Sequence, residues 1–236
     1  MTYSNDPIGL AISDYVCNNV NEDIIVHSDL CDDDILPVPY LFRAYENMPP
    51  IEKKALDLCS GRILDVGAGA GCHAQHLQSK GYLIETIDTS TGAVNYLKSK
   101  GIKSVNTDFL SFKTKGFDTI LMLMNGIGIA GSLKQLPTFL NHAKALLNPG
   151  GQILCDSTDI NYMYVDDEGG TWMDLASDYY GEMQFQMVYK HAKSEWFPWL
   201  YIDFEKLSEI AEQIGFNIEL MESSENDQFL AKLTLK

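Results

Sequence analysis

Arginine is nearly absent from this 236-residue chain: only Arg43 and Arg62 occur, and no lysine precedes Arg43. The lysines are scattered singly or in pairs, and the formal net charge is −16. Such a surface repels a phosphate backbone and no basic patch offsets it, so no nucleic-acid partner is expected. Cys-x-x-Cys pairs are missing too. The five cysteines, Cys17, Cys31, Cys59, Cys72 and Cys155, are odd in number and widely spaced. They support neither a metal site nor a redox dithiol and suit reduced thiols in a cytoplasmic protein. No apolar run is long enough to span a membrane. The start, Met-Thr-Tyr-Ser-Asn-Asp, lacks the basic region and apolar core of a signal peptide. A cytoplasmic location with no membrane partner is the expectation.

What is present is the composition of a globular chain, long enough to bury one good core. Asp6-Pro7 reads as a helix start, followed by apolar residues at helical spacing (Ile8, Ile12, Tyr15, Val16). Residues 21–39 read as irregular despite the run Ile24-Ile25-Val26. A short helix is expected over 40–47, and another over 51–59 that stops at Gly61. A regular alternation then begins. Strands are expected at 62–66, 82–87, 102–106, 117–124 and 151–156, with helices at 71–80, 90–100 and 133–147. Ser90 and Ser132 suit helix N-caps. Strand–helix alternation with runs such as Ile120-Leu121-Met122-Leu123 predicts a parallel sheet covered on both faces.

Past residue 157 the rhythm changes, and 157–181 suggests no regular element. Residues 182–190 alternate like a strand with which 195–201 can pair as a hairpin. Asp203 opens an amphipathic helix ending at Gly215, and two final strands, 216–222 and 228–235, flank the turn Glu225-Asn226-Asp227. The expected organisation is an N-terminal helical or lid segment, 1–60, and a main domain, 61–236, whose insertion at 157–201 lines a pocket.

The chemistry concentrates at Arg62-Ile63-Leu64-Asp65-Val66-Gly67-Ala68-Gly69-Ala70-Gly71, a buried strand entering a glycine turn and a helix. Such a turn lets a ligand approach the backbone, and the helix aims free N–H groups and its positive end at the same place. Asp88, twenty-one residues after Gly67, ends the next apolar run and can accept both hydroxyls of a ribose. A dinucleotide site prefers Gly-x-Gly-x-x-Gly. Here the spacing is Gly67-x-Gly69-x-Gly71, and Cys72 occupies the position of the dinucleotide motif's third glycine. Asp65, two residues before Gly67, would face a pyrophosphate with like charge but suits a cationic ligand. S-adenosylmethionine, with its sulfonium and ammonium groups, fits that requirement.

On these residues the chain resembles the class I S-adenosylmethionine-dependent methyltransferases. Asp65, Gly67, Gly69 and Gly71 match the glycine motif, with Ala68 inside it. Asp88, followed by Thr89, matches the acid after the second strand, and Asp108-Phe109 the pair that flanks adenine. Phe117-Asp118 through Asn125-Gly126 matches the fourth-strand segment, and Leu147 to Gly151 the turn before strand five. The resemblance implies a Rossmann-like α/β fold: a doubly wound seven-stranded sheet with an antiparallel C-terminal hairpin, plus N-terminal helices and an inserted hairpin. It implies S-adenosylmethionine as cofactor and a methyl acceptor beyond the strand ends.

Asn125-Gly126-Ile127-Gly128 lacks the prolines and aromatic of enzymes that methylate adenine or glutamine. Tyr40 and Arg43 fall where such enzymes carry a lid, and Arg43 is placed to pair with the cofactor's carboxylate. The aromatics Trp172, Trp196, Phe197, Trp199 and Tyr201 read either as an apolar acceptor pocket or as packing of the inserted hairpin. His73 and His76 follow the glycine turn, yet no catalytic base is evident, and methyl transfer from an activated carbon need not have one. The expected activity is methyl transfer to a small molecule. An NAD-dependent oxidoreductase, an inactive cofactor-binding module and a protein methyltransferase are the rival readings. The acceptor atom and the oligomeric state are not encoded in any of these motifs.

Overall fold

A computed structural model describes residues 4–164 and 179–235. In chain order the elements are α1 (Pro7–Asn18), β1 (Ile24–Ser28), β2 (Asp34–Leu36), α2 (Pro50–Leu58), β3 (Arg62–Val66), α3 (Cys72–Ser79), β4 (Leu83–Asp88), α4 (Thr91–Ser99) and β5 (Lys103–Asn106). There follow β6 (Phe117–Met122), α5 (Leu136–Leu146), β7 (Leu147–Thr158), β8 (Glu182–Tyr189), β9 (Ala192–Lys193), β10 (Phe197–Leu200), α6 (Phe204–Ile214), β11 (Phe216–Ser223) and β12 (Gln228–Leu235).

Seven strands form the main sheet, in the order β11-β12-β7-β6-β3-β4-β5. β3 pairs in parallel with β4 on one side and β6 on the other. The chain thus winds outward in both directions from β3, and a crevice opens at the carboxyl ends of β3 and β6. β12 runs antiparallel to both β7 and β11, which completes the reversed C-terminal hairpin. Ile63, Leu64, Ile120, Leu121, Ile153 and Leu154 are fully buried, as strands packed on both faces require.

Helix starts follow local chemistry. Ser90 Oγ accepts from the Ala93 N–H, and an Asp203 carboxylate oxygen accepts from the Lys206 N–H. The helix expected from 133 begins instead at Leu136: Ser132 anchors a preceding turn, and Pro137 then sits in the first helical turn, where its missing N–H costs nothing. Residues 40–47 are not one helix but two short 3-10 turns, Val38–Phe42 and Tyr45–Asn47.

The larger departure from the sequence-based expectation is a second, antiparallel sheet of order β10-β8-β1-β2, with β9 on β8. Residues 21–39, read as irregular, supply β1 and β2, so the N-terminal segment is not purely helical. β1 pairs with β8 through Ile25↔Val188 and Val26↔Met187. The partner lies far away in sequence, so no local hairpin signal marks the pairing. The expected pairing of the inserted strands is present, with Trp199 opposite Met183. Trp172 lies outside the described residues.

Candidate active site

β3 delivers Asp65 to the crevice, where it is 2% exposed. Its Oδ2 is buried without a hydrogen-bond partner among the described residues. Such an orphan is costly unless a ligand satisfies it. Burial pushes its carboxyl up to about 6, with His73 pulling down and Asp88 pushing up. The turn that follows uses left-handed backbone at Gly67 (φ +71°) and Gly69 (φ +53°). A Cβ on Gly69 would meet nothing within 4 Å, and one on Gly67 only Ile129 Cδ1, at 3.0 Å. The Gly69 face is therefore open space against bare backbone.

Asp88 ends β4 beneath this turn. It accepts from the Gly69 N–H through Oδ2 (2.8 Å) and from the Ser90 N–H through Oδ1 (2.7 Å). Burial raises its pKa while these backbone donors oppose the shift. The carboxylate is fixed in place and keeps acceptor capacity on both oxygens.

These groups border a cavity of about 590 Å³, within the range of small-molecule sites. Asp65, Gly67, Ala68, Gly69, Asp88, Thr89, Asp108 and Phe109 all line it. Phe109 is otherwise packed on Phe139 and faces His142 edge-on. Asp108 Oδ1 accepts from the Ser111 N–H, and the Ser111 contacts hold its carboxyl below the usual range.

Four of the residues expected to bind the cofactor do not line the cavity. A side chain on Gly71 would run into Leu97, and its φ of +74° caps α3, so its role is to form the turn. Asn125 turns its side chain away, donating to the Leu200 carbonyl at 3.3 Å, while its neighbours Met124 and Gly126 reach the cavity. Met124 (φ +65°) and Asn125 (φ +57°) are consecutive non-glycine residues in left-handed conformation, a strained arrangement typical of functional turns. The Gly126 N–H donates to Asp156 Oδ1 at 3.3 Å, and burial pushes the Asp156 carboxyl up to about 6.

Tyr40 and Arg43 sit behind the wall. Arg43 is 7% exposed and forms a two-point ion pair with Glu52. It also donates to the Tyr40 carbonyl at 2.6 Å and lies 3.9 Å from the Tyr40 ring centroid. Its guanidinium is thus committed within the protein.

Two cavity features were not assigned from the sequence, and a third was expected only in part. His73 lines the wall, with Nε2 3.0 Å from Glu52 Oε2. Its place in the first turn after the glycines was the available signal; Glu52 carried none. Residues 5–8 form another wall, where Asp6 caps α1 and also accepts from the Gly92 N–H at 3.0 Å. The second sheet supplies a third wall through Met187, Ser194, Phe197, Pro198 and Trp199, of which Phe197 and Trp199 are among the aromatics expected to line a pocket. Of the other aromatics, Tyr201 packs on Phe185 and Trp196 is half exposed. His76 stacks on Tyr45 at 4.2 Å.

A family model described as a methyltransferase domain matches residues 40–221. A crystal structure of an S-adenosylmethionine-dependent methyltransferase from Bacteroides fragilis, in complex with S-adenosyl-L-homocysteine, superposes with a TM-score of 0.92. It is 40% identical, over 100% of this chain and 97% of that one. An amino pentose methyltransferase from Micromonospora echinaspora is similar at TM-score 0.57 and 15% identity, covering 81% of this chain and 94% of that one. DesVI from Streptomyces venezuelae is similar at 0.58 and 13%, covering 84% and 96%. At those identities the likeness concerns the fold alone. No curated protein matches the chain.

Proposed function

The chain belongs to the S-adenosylmethionine-dependent methyltransferases, and on that premise we propose that it methylates a small, largely apolar acceptor in the cytoplasm. The observation that carries the reading is the shared cavity. One side is the glycine turn with the orphaned Asp65; the other is a wall of Met187, Phe197, Pro198 and Trp199 from the second sheet. A site for the donor and a site for a small acceptor thus adjoin.

The residues present fit the cofactor. Asp65, ionised near neutral pH, offers its unpartnered oxygen to the ammonium group, and Asp88 takes the ribose hydroxyls. The bare backbone at Gly67 to Gly69 admits the nucleoside closely, and Asp108 and Phe109 flank the adenine. When bound, the cofactor supplies a methyl already activated on a sulfonium. The protein's share is then to hold the acceptor in line and exclude water. Met124 and Gly126, on the strained turn, and Trp199, across Gly128, border the space for that approach. No side chain is assigned as base. The net charge of −16 disfavours nucleic acid as acceptor.

The test is calorimetry with S-adenosylhomocysteine, followed by incubation with S-adenosylmethionine and a panel of small amines, thiols and hydroxyl compounds read by mass spectrometry. A methylated small molecule is the expected product. Methylation of added proteins, with no small molecule accepted, would overturn the reading.

A further inference from the structure

We propose that His73 is the anchor for the carboxylate of the cofactor's amino-acid end, and that Glu52 and Arg43 hold it in place for that task. The inference rests on the cofactor reading above and names a residue that the sequence pattern did not assign.

The donor has a zwitterionic amino-acid end, so its site needs a negative pole for the ammonium and a positive pole for the carboxylate. Asp65 provides the first. For the second, the cavity wall contains neither lysine nor arginine among the described residues. The cation nearest in sequence logic, Arg43, is spent on Glu52 and on the Tyr40 carbonyl. His73 is the cationic side chain on the wall itself, 5% exposed.

Three features equip it. Nε2 is engaged by Glu52 Oε2 at 3.0 Å and lies 3.4 Å from Arg43 Nη2, which fixes the ring at the cavity wall. Arg43, Glu52 and a protonated His73 together place one net positive charge at this wall, next to the negative Asp65. Burial disfavours the imidazolium, but hydrogen bonds to Cys72 and Glu52 outweigh it and raise the pKa to about 10. Third, His73 lies in the first turn of α3, whose cap, Gly71, has no side chain to occupy the first-turn N–H groups. Those donors and the positive end of the helix add to the same pole. Arg43 therefore acts on the site through Glu52, as the buried counter-charge that lets one carboxylate serve two cations.

The experiment compares S-adenosylhomocysteine, decarboxylated S-adenosylmethionine and 5′-methylthioadenosine by calorimetry in wild type and His73→Gln. Wild type is expected to bind S-adenosylhomocysteine tighter than the carboxyl-lacking ligands. His73→Gln should weaken S-adenosylhomocysteine by roughly ten- to a hundredfold, the scale of a lost charge-assisted hydrogen bond. Methylthioadenosine should change by less than about twofold, because it lacks the group in question. Equal losses for all three ligands, or no loss for any, would overturn the proposal.

Should the variant bind nothing, nitrogen NMR of the wild-type imidazole decides. The His73 signals should move with S-adenosylhomocysteine and not with decarboxylated S-adenosylmethionine; identical responses to both would refute the assignment. Wild type that binds none of the ligands would instead overturn the cofactor reading.

Discussion

The two sheets of this protein are built by opposite rules. In the main sheet β3 pairs with β4 and β4 with β5, each after one helix, so these contacts close over short loops. In the second sheet β1 pairs with β8 across most of the chain, Ile25 against Val188, so loop-closure entropy is spent before any packing returns. The first sheet carries the site proposed for the donor and the second the wall proposed for the acceptor. On that proposal, donor chemistry is written as a local motif, while acceptor chemistry is assembled from segments distant in sequence.

The sharpest way to break that division is at Asp88. Replacement with Ala removes both oxygens proposed to accept the ribose hydroxyls and releases the Gly69 and Ser90 N–H groups that order the turn. Each charge-assisted bond is worth about 1.5–3 kcal/mol, so S-adenosylhomocysteine affinity is expected to fall by about a hundredfold or more in calorimetry. A loss below about threefold would mean that the donor does not sit over β4.

Gly128 is where the two sheets meet. A Cβ there would land inside the Trp199 indole, a rigid ring that cannot yield without moving β10. Gly128→Val should displace the acceptor wall and lower kcat/KM for the acceptor by roughly ten- to a hundredfold, the cost of misplacing a reactant by about an ångström. Donor affinity should stay within about twofold. Equal damage to both would show that the sheets are not separable in function.

Legibility follows the same division. The strand pattern from 62 to 156 and the pairing of Asp65 with Asp88 were readable because the βα unit encodes them within about thirty residues. Ile24-Ile25-Val26 was visible as an apolar run, yet nothing near it marks β8 as the partner, so it did not read as a strand. Arg43 stands out as one of only two arginines, but its ion pair with Glu52, buried on α2, is a product of packing that no spacing rule conveys. Asn125 was singled out by position, while its left-handed backbone, shared with Met124, carries its effect on the cavity.

Protonation offers a milder test of the donor half. Asp65 is raised from 3.8 to about 6. In the free protein its contribution to stability is therefore fully present below pH 3.8 and lost as pH rises through about 6. The cofactor's ammonium requires the ionised form. Affinity for S-adenosylhomocysteine is accordingly expected to weaken about tenfold between pH 7 and pH 5, as the carboxylate protonates. Asp65→Asn should bind weakly at both values and flatten the profile, and an unchanged profile would remove Asp65 from the ammonium contact. His73 and Asp88, the charged groups that act on Asp65, are the controls: His73→Gln should shift the midpoint upward by removing a favourable positive charge.

The smallest effect is expected on the outer face of the second sheet. Ile35 is 58% exposed, and its cross-strand partner Ile25 is 41% exposed, whereas Ile120 in the main sheet is fully buried. Truncating Ile120 to Ala should cost about 2–5 kcal/mol through lost burial and the cavity left behind. Ile35→Thr keeps a β-branched side chain on an exposed strand and should cost no more than about 0.5–1 kcal/mol in denaturant unfolding. The ratio between these two isoleucines measures how differently the sheets are solvated. A cost at Ile35 approaching that at Ile120 would require another surface to cover β1 and β2 in the folded protein. The wall proposed for the acceptor would then be the inner face of a buried layer, held from both sides, and not a sheet with one face open to water.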